Sequence, residues 1–113
     1  MTSSFKRCGK DPRGVSIARY PMFWRGRRYY ALVPSVALFR AWKAEAISNE
    51  DYRERFYQET LSRLNPYDAF QDLGMDAILL CHCPPGQFCH RRIVARWLEE
   101  ALGINVPEAS ACR

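Results

Sequence analysis

The six residues 76–81, DAILLC, constrain the fold of this chain more than any others. After Asp76 the apolar side chains follow one another with no polar alternation. Both faces of a strand built from them must be covered, which is the pattern of a central strand in a parallel sheet. Downstream, residues 89–102 place Ile93, Val94, Trp97, Leu98, Ala101 and Leu102 on one helical stripe. Arg92, Arg96, Glu99 and Glu100 fall on the other, and Gly103 supplies a stop. A buried strand leading into an amphipathic helix is the repeating unit of an α/β fold.

The upstream half fits the same class. Residues 15–19 follow Gly14, are stopped by Pro21 and are rich in β-branched and apolar side chains, which predicts a short strand whose end delivers Arg19 and Tyr20 into a loop. That loop interleaves Phe23, Trp24, Tyr29 and Tyr30 with Arg25, Arg27 and Arg28 around Gly26, as either a hairpin turn or an irregular binding loop. Ser35 reads as the cap of a helix carrying Val36, Phe39, Trp42 or Lys43, and Ala46. A second helix starts at Ser48 or Asn49, has Glu50 and Asp51 in its first turn and a stripe of Tyr52, Phe56, Tyr57, Thr60, Leu61 and Leu64, and stops before Pro66. Residues 66–74 form a third, closed by Gly74, and residues 104–108 a last short strand.

The expected architecture is α/β: a single domain over residues 1–113 with a small, mainly parallel sheet in Rossmann-like layering, flanked by helices. The ordered core is expected at about 14–107, with mobile ends over 1–12 and 108–113. Ligands of such sheets bind beyond the carboxyl ends of the strands, where Arg19 and Cys81 stand. A chain of 113 residues is one core's worth of protein, so any site is built from that core's loops.

No stretch approaches the roughly 18 apolar residues of a membrane span, and the opening residues lack the apolar middle of a signal peptide. A cytoplasmic protein without a membrane partner is expected. There the five cysteines, Cys8, Cys81, Cys83, Cys89 and Cys112, stay reduced, and their odd number argues against a disulfide framework. Cys8 and Cys112, near the ends, carry no assigned role. The net charge is +5, and residues 1–30 hold eight Lys or Arg against one acid, Asp11. Arginine makes up 14 of the 17 basic residues, the side chain whose planar fork suits phosphate. A phosphorylated small molecule, a nucleotide or a nucleic acid is the partner this balance implies.

The chemistry is concentrated in residues 79–92, LLCHCPPGQFCHRR, which hold three cysteines and both histidines. Cys81 and Cys83 lie on one side of extended chain, over the start of the helix opened by Cys89, His90 and Arg91. Two readings follow from those residue types. In one, the helix N-terminus and Arg91 shift a thiol toward thiolate, so that Cys89 or Cys81 is nucleophile or base and His90 transfers a proton or orients it. Arg19, Tyr20, Trp24, Arg91 and Arg92 then bind the phosphorylated substrate. The spacing is not the Cys-x5-Arg of a tyrosine phosphatase. In the other, Cys81, Cys83, Cys89 and His90 ligate zinc or another soft metal, although adjacent residues 89 and 90 point about 100° apart on a helix. A purely structural role for Cys81 and His90 stands beside both.

Three segments carry a resemblance: VSIARYPMFWRGRRYYALVPS, YRERFYQETLSRLNP and ILLCHCPPGQFCHRRIVARWLEE. Together they resemble the domain of unknown function 488 family, small α/β proteins with a strand ending in cysteine and a Cys-His-Arg helix start. The resemblance spans about residues 14–107, and Cys81, Cys89, His90 and Arg91 are its most specific part, with Arg19 and Pro21 fitting the first strand end. An acidic residue is expected two positions after the strand cysteine, where this chain has Cys83. In that respect it is similar to family 4326, also of unknown function, with its Cys-x-Cys and Cys-His pairs. The resemblance implies the fold and the site's location rather than a reaction.

The functional expectation is therefore a nucleotide- or nucleic-acid-directed enzyme with a Cys/His/Arg anion site at the junction of strand 76–81 and helix 89–102. Its alternatives are a non-enzymatic nucleic-acid-binding module with a structural Cys3His metal site, and a small interaction or inhibitor protein.

Overall fold

In the computed structural model, which describes residues 1–83, 87–109 and 112, one small parallel sheet packs its main core against the long helices and its other face against a short helix, a loop and the tail. Its strands are β1 (Thr2–Ser4), β2 (Gly14–Ser16), β3 (Arg27–Arg28) and β4 (Ile78–Cys81), in the spatial order β1-β4-β2-β3. The helices are α1 (Phe5–Cys8), α2 (Val36–Lys43), α3 (Asn49–Glu59), α4 (Pro66–Leu73) and α5 (His90–Leu102).

The unbroken apolar run of β4 lies in the interior of the sheet: Leu79 is opposite Thr2 on one side and Val15 on the other. Alternation splits the side chains between two layers. Val15, Ile17 and Leu79 face the main core with Leu38, Tyr52, Phe56, Val94 and Leu98 of the long helices. Ile78 and Leu80 face a smaller cluster of Cys8, Trp24 and Ala109. Gly14 is required by this second layer, since a Cβ there would sit 2.7 Å from Leu80 Cδ1 and 3.1 Å from the Trp24 ring.

The predicted caps are found at Ser35, whose Oγ accepts from Leu38 N, and at Ser48, whose Oγ accepts from Asp51 N. Gly103 ends α5 in the left-handed region at φ 67°. Other elements differ from expectation. The 15–19 strand ends at Ser16, although Ile17 N still donates to Leu80 O. The helix expected to run to Pro66 breaks at Thr60 into a short 3-10 turn, Leu61–Arg63. The aromatic and basic loop is not a hairpin: it contributes the parallel edge strand β3. Residues 104–108 make a single bridge, Thr2 to Glu108, rather than a strand.

The chain ends are not loose where the structure describes them. Thr2, Ser3 and Ser4 are buried, because β1 covers the open edge of β4. The tail is sewn on by Thr2 N to Pro107 O and Ala109 N to Thr2 O. Cys8 and Cys112 are joined by a disulfide, with Cα atoms 4.9 Å apart. The expectation of reduced, roleless cysteines at the ends is thereby corrected. Among the described residues no helix is long and apolar enough to cross a membrane.

Candidate functional site

Cys81 is the last residue of β4 and Cys89 the N-cap of α5, so the strand end and the helix start meet through two sulfurs. With Cys83 they form a cluster whose three sulfurs lie within 4.8 Å of one another. The sulfurs of Cys81 and Cys89 are at disulfide distance, yet their Cα atoms stand 7.9 Å apart. That span is wider than the roughly 4.4–6.8 Å that a disulfide normally bridges. The backbone therefore suits a facing thiol pair, or thiolates around a metal, better than a closed bond.

Arg91 lies beneath this cluster and is almost wholly enclosed, at 1% exposure. Its Nη1 donates to Cys81 Sγ at 3.0 Å and to Cys83 O at 2.8 Å. Nε and Nη2 form a bidentate pair with Glu108, the shortest contact being 2.7 Å. A guanidinium against a sulfur favours the thiolate. Burial pushes the Cys83 thiol up, against the opposing pull of Arg91 and Lys43.

His90 Nε2 lies 2.7 Å from the Ile17 carbonyl oxygen, so it must carry the proton and donate. Nδ1 is left as an acceptor, 3.8 Å from Cys89 Sγ. Burial lowers the ring's pKa to about 4, despite the carbonyl bond that pulls the other way. His90 is thus neutral at pH 7, with its lone pair toward the thiol.

Above the sulfurs is a cavity of about 130 Å³. Phe39 and Trp42 of α2, Tyr52 of α3 and Phe88 wall it; Cys81, Cys83, Cys89 and His90 form the chemical side; Arg19 and Lys43 supply positive charge. Tyr52 meets Phe88 edge to face at 5.5 Å, and Trp42 lies 6.0 Å from Tyr52. Arg19 Nε is buried with no hydrogen-bond partner among the described residues. Tyr20, 43% exposed, meets Phe39 edge to face at 5.2 Å beside the cavity.

The expected site residues divide by place. Cys81, Cys89, His90 and Arg19 share the cavity, and Arg91 touches its sulfur from below. Arg91 and Arg92 are committed to protein partners: Arg92 Nη1 donates to Thr2 Oγ1 at 2.8 Å and Val106 O at 2.9 Å. Trp24 is buried in the layer behind the sheet, its Nε1 donating to Arg27 O. Of the four residues expected around a metal, the three cysteines cluster while His90 turns its Nε2 to Ile17. The sequence reading missed Phe39, Trp42, Lys43, Tyr52 and Phe88 as cavity walls, and Glu108 as the partner of Arg91. The nearest signal was the aromatic density flanking the cysteines, with Phe88 directly before Cys89.

A family model described as the active DUF488-N3 subclade, DUF488-N3a, matches residues 5–102, most of the chain. The chain belongs to the DUF488-N3a family. The strand cysteine, the Cys-His-Arg helix start and the first strand end all lie inside the matched span of this DUF488-N3a protein. No curated protein and no solved structure matches it.

Proposed function

We propose that this DUF488-N3a protein is a thiol-dependent enzyme acting on a nucleotide-type molecule, an aromatic ring bearing an anionic group. The reading rests on one observation: a paired thiol, touched by a buried guanidinium, faces an aromatic-walled cavity whose only charged side chains, among the described residues, are cationic. At about 130 Å³ the cavity is slightly smaller than the roughly 150 Å³ that takes a benzene ring, so it is sized for one six-membered ring at most, set between Phe39, Trp42, Tyr52 and Phe88 with the rest of the molecule outside. Arg19 and Lys43 then meet the anionic group. Arg91 Nη1 donates to Cys81 Sγ and the His90 Nδ1 lone pair lies toward Cys89 Sγ, which places one sulfur as nucleophile and the other beside a proton acceptor. The family model's description as an active subclade supports an enzymatic reading.

The test uses reduced full-length protein, nucleoside monophosphates and diphosphates, and iodoacetamide. Binding should be measurable by calorimetry, and bound nucleotide should slow alkylation of Cys81 and Cys89 as mapped by mass spectrometry. Alkylation indifferent to every nucleotide would sink this reading.

A second reading is favoured by the sulfur cluster itself. Three thiolates on a tetrahedral zinc stand about 3.8 Å apart; the sulfurs of Cys81, Cys83 and Cys89 all lie within 4.8 Å of one another, and those of Cys81 and Cys89 would have to part from disulfide distance to hold the ion. These three could bind a metal, with His90 outside the cluster. Metal analysis of protein purified without chelator decides it, and about one zinc per chain with three protected thiols is the supporting result.

A further inference from the structure

We propose that single-stranded nucleic acid lies along the basic, aromatic groove between α1 and the 22–27 loop and delivers a base to the thiol cavity. The inference deepens the preceding reading of the cavity and rests on it.

The groove is open, about 550 Å³, with Phe5, Lys10, Phe23 and Arg25 among its walls and Trp24 packed at its base. Phe23 is 61% exposed and Met22 beside it 89%. An aromatic ring held in place but largely uncovered is a platform: among the described residues Phe23 meets Phe5 at 5.1 Å and His82 at 5.6 Å, both in T-shaped pairs. Lys10 and Arg25 of the groove are exposed, as is Lys6 on α1, and none of the three is in an ion pair among the described residues. The one acid in the groove, Asp11, is already held by Arg13 at 2.8 Å. Stacking faces set among unpaired cations are what a single strand needs, since its bases are free to stack and its phosphates need neutralising.

The groove and the cavity are joined by aromatic side chains. His82 packs at a tilt against Phe5 at 4.9 Å and in a T-shaped pair with Phe23, and it also lines the cavity. Its Nε2 lies 3.0 Å from the Tyr20 carbonyl, and the Tyr20 ring packs on Phe39 of the cavity wall. A strand stacked on Phe23 therefore reaches the cavity across His82, and Arg19 is among the residues that line it.

The experiment is fluorescence anisotropy of a short labelled oligothymidylate with the reduced full chain. Three phosphate contacts predict a loss of affinity of roughly 20-fold between about 50 and 200 mM salt. Phe23→Ala should weaken binding at least about fivefold, and Arg25→Ala should weaken it and make the salt dependence shallower. Phe23→Ala should leave mononucleotide protection of Cys81 and Cys89 unchanged, because Phe23 lies outside the cavity. The oligonucleotide should protect those thiols in the wild type and lose that ability in Phe23→Ala. Mononucleotide protection without oligonucleotide binding overturns the groove and leaves the cavity reading intact. Phe23-dependent binding with no protection by any nucleotide overturns delivery and the cavity reading together. Competition by polyglutamate or anionic vesicles as strong as that by unlabelled oligonucleotide also overturns the assignment.

Discussion

Glu108 takes Nε and Nη2 of Arg91 in one bidentate pair, and so turns the remaining nitrogen, Nη1, onto Cys81 Sγ and the Cys83 carbonyl. A residue of the C-terminal tail thereby sets the position of a cation that touches the candidate nucleophile. Arg91→Ala leaves a partly buried carboxylate without its partner, a loss expected to cost about 3–5 kcal/mol. Arg91→Lys keeps the charge but not the fork. It should fold, and the pH midpoint of thiol alkylation should rise because the cation no longer reaches Cys81 and Glu108 at once. Denaturant titration and alkylation rate against pH check the two variants. An unshifted midpoint in Arg91→Lys would separate the guanidinium from the thiol.

The Glu108 carboxyl would be raised by burial, but hydrogen bonds from Arg91 and Thr2 outweigh this and hold it below its ordinary value. Arg91 and Arg92 of α5 are the cations that face it. A carboxyl with a depressed folded pKa adds stability above its unfolded pKa, and that stability is lost as pH falls through the folded value. Glu108→Gln should therefore be less stable than wild type near neutral pH. The gap should close progressively as the pH drops below the usual carboxylate range, read as melting temperature against pH. A gap that persists in acid would mean the variant acts through packing instead.

Cys8 and Cys112 close a loop of nearly the whole chain, with a sequence separation of 104. In the chain-entropy account a loop of that size contributes about 4.7 kcal/mol, an upper figure because unfolded chains retain structure. Cys112→Ala should lower the denaturant midpoint of the oxidised protein. Reductant should have the same effect on the wild type and little further effect on the variant. Equal midpoints for wild type and variant under oxidising conditions would mean the pair does not close in solution.

Much of the fold was legible because periodicity and caps are local. The DAILLC run, the serines at 35 and 48 and the glycine at 103 each name an element through nearby chemistry. The tail was misread because Glu108 earns its role from Arg91 and Thr2, residues far away in sequence, which no window contains. The same holds for the cavity. Cys81, Cys89 and His90 stand out as candidates by residue type and do line the cavity, whereas Trp42 and Tyr52 look like core residues until tertiary packing exposes one side of each to a void. Arg91 and Arg92 were both expected, with Arg19, Tyr20 and Trp24, to bind an anionic substrate. Adjacent helical positions point about 100° apart, and each met a different internal acceptor.

Cys83 separates the two chemistries available to the sulfur cluster. Arg91 reaches Cys81 through its sulfur but Cys83 only through its backbone carbonyl, which every substitution retains. Burial also keeps the Cys83 thiol protonated to higher pH than usual. In a Cys81/Cys89 thiol pair Cys83 is therefore a bystander, and Cys83→Ser should leave both the alkylation rate of the pair and its protection by nucleotide unchanged. In a three-thiolate centre it is one ligand of three, and its loss should release zinc to a chromogenic chelator at far lower chelator concentration. The expected outcome is the first. Both measurements can be made on one preparation, alkylation under reductant and zinc release without it. A variant that alkylates faster than wild type and retains less zinc would transfer the cavity's chemistry from sulfur to a metal-bound species at the fourth coordination position.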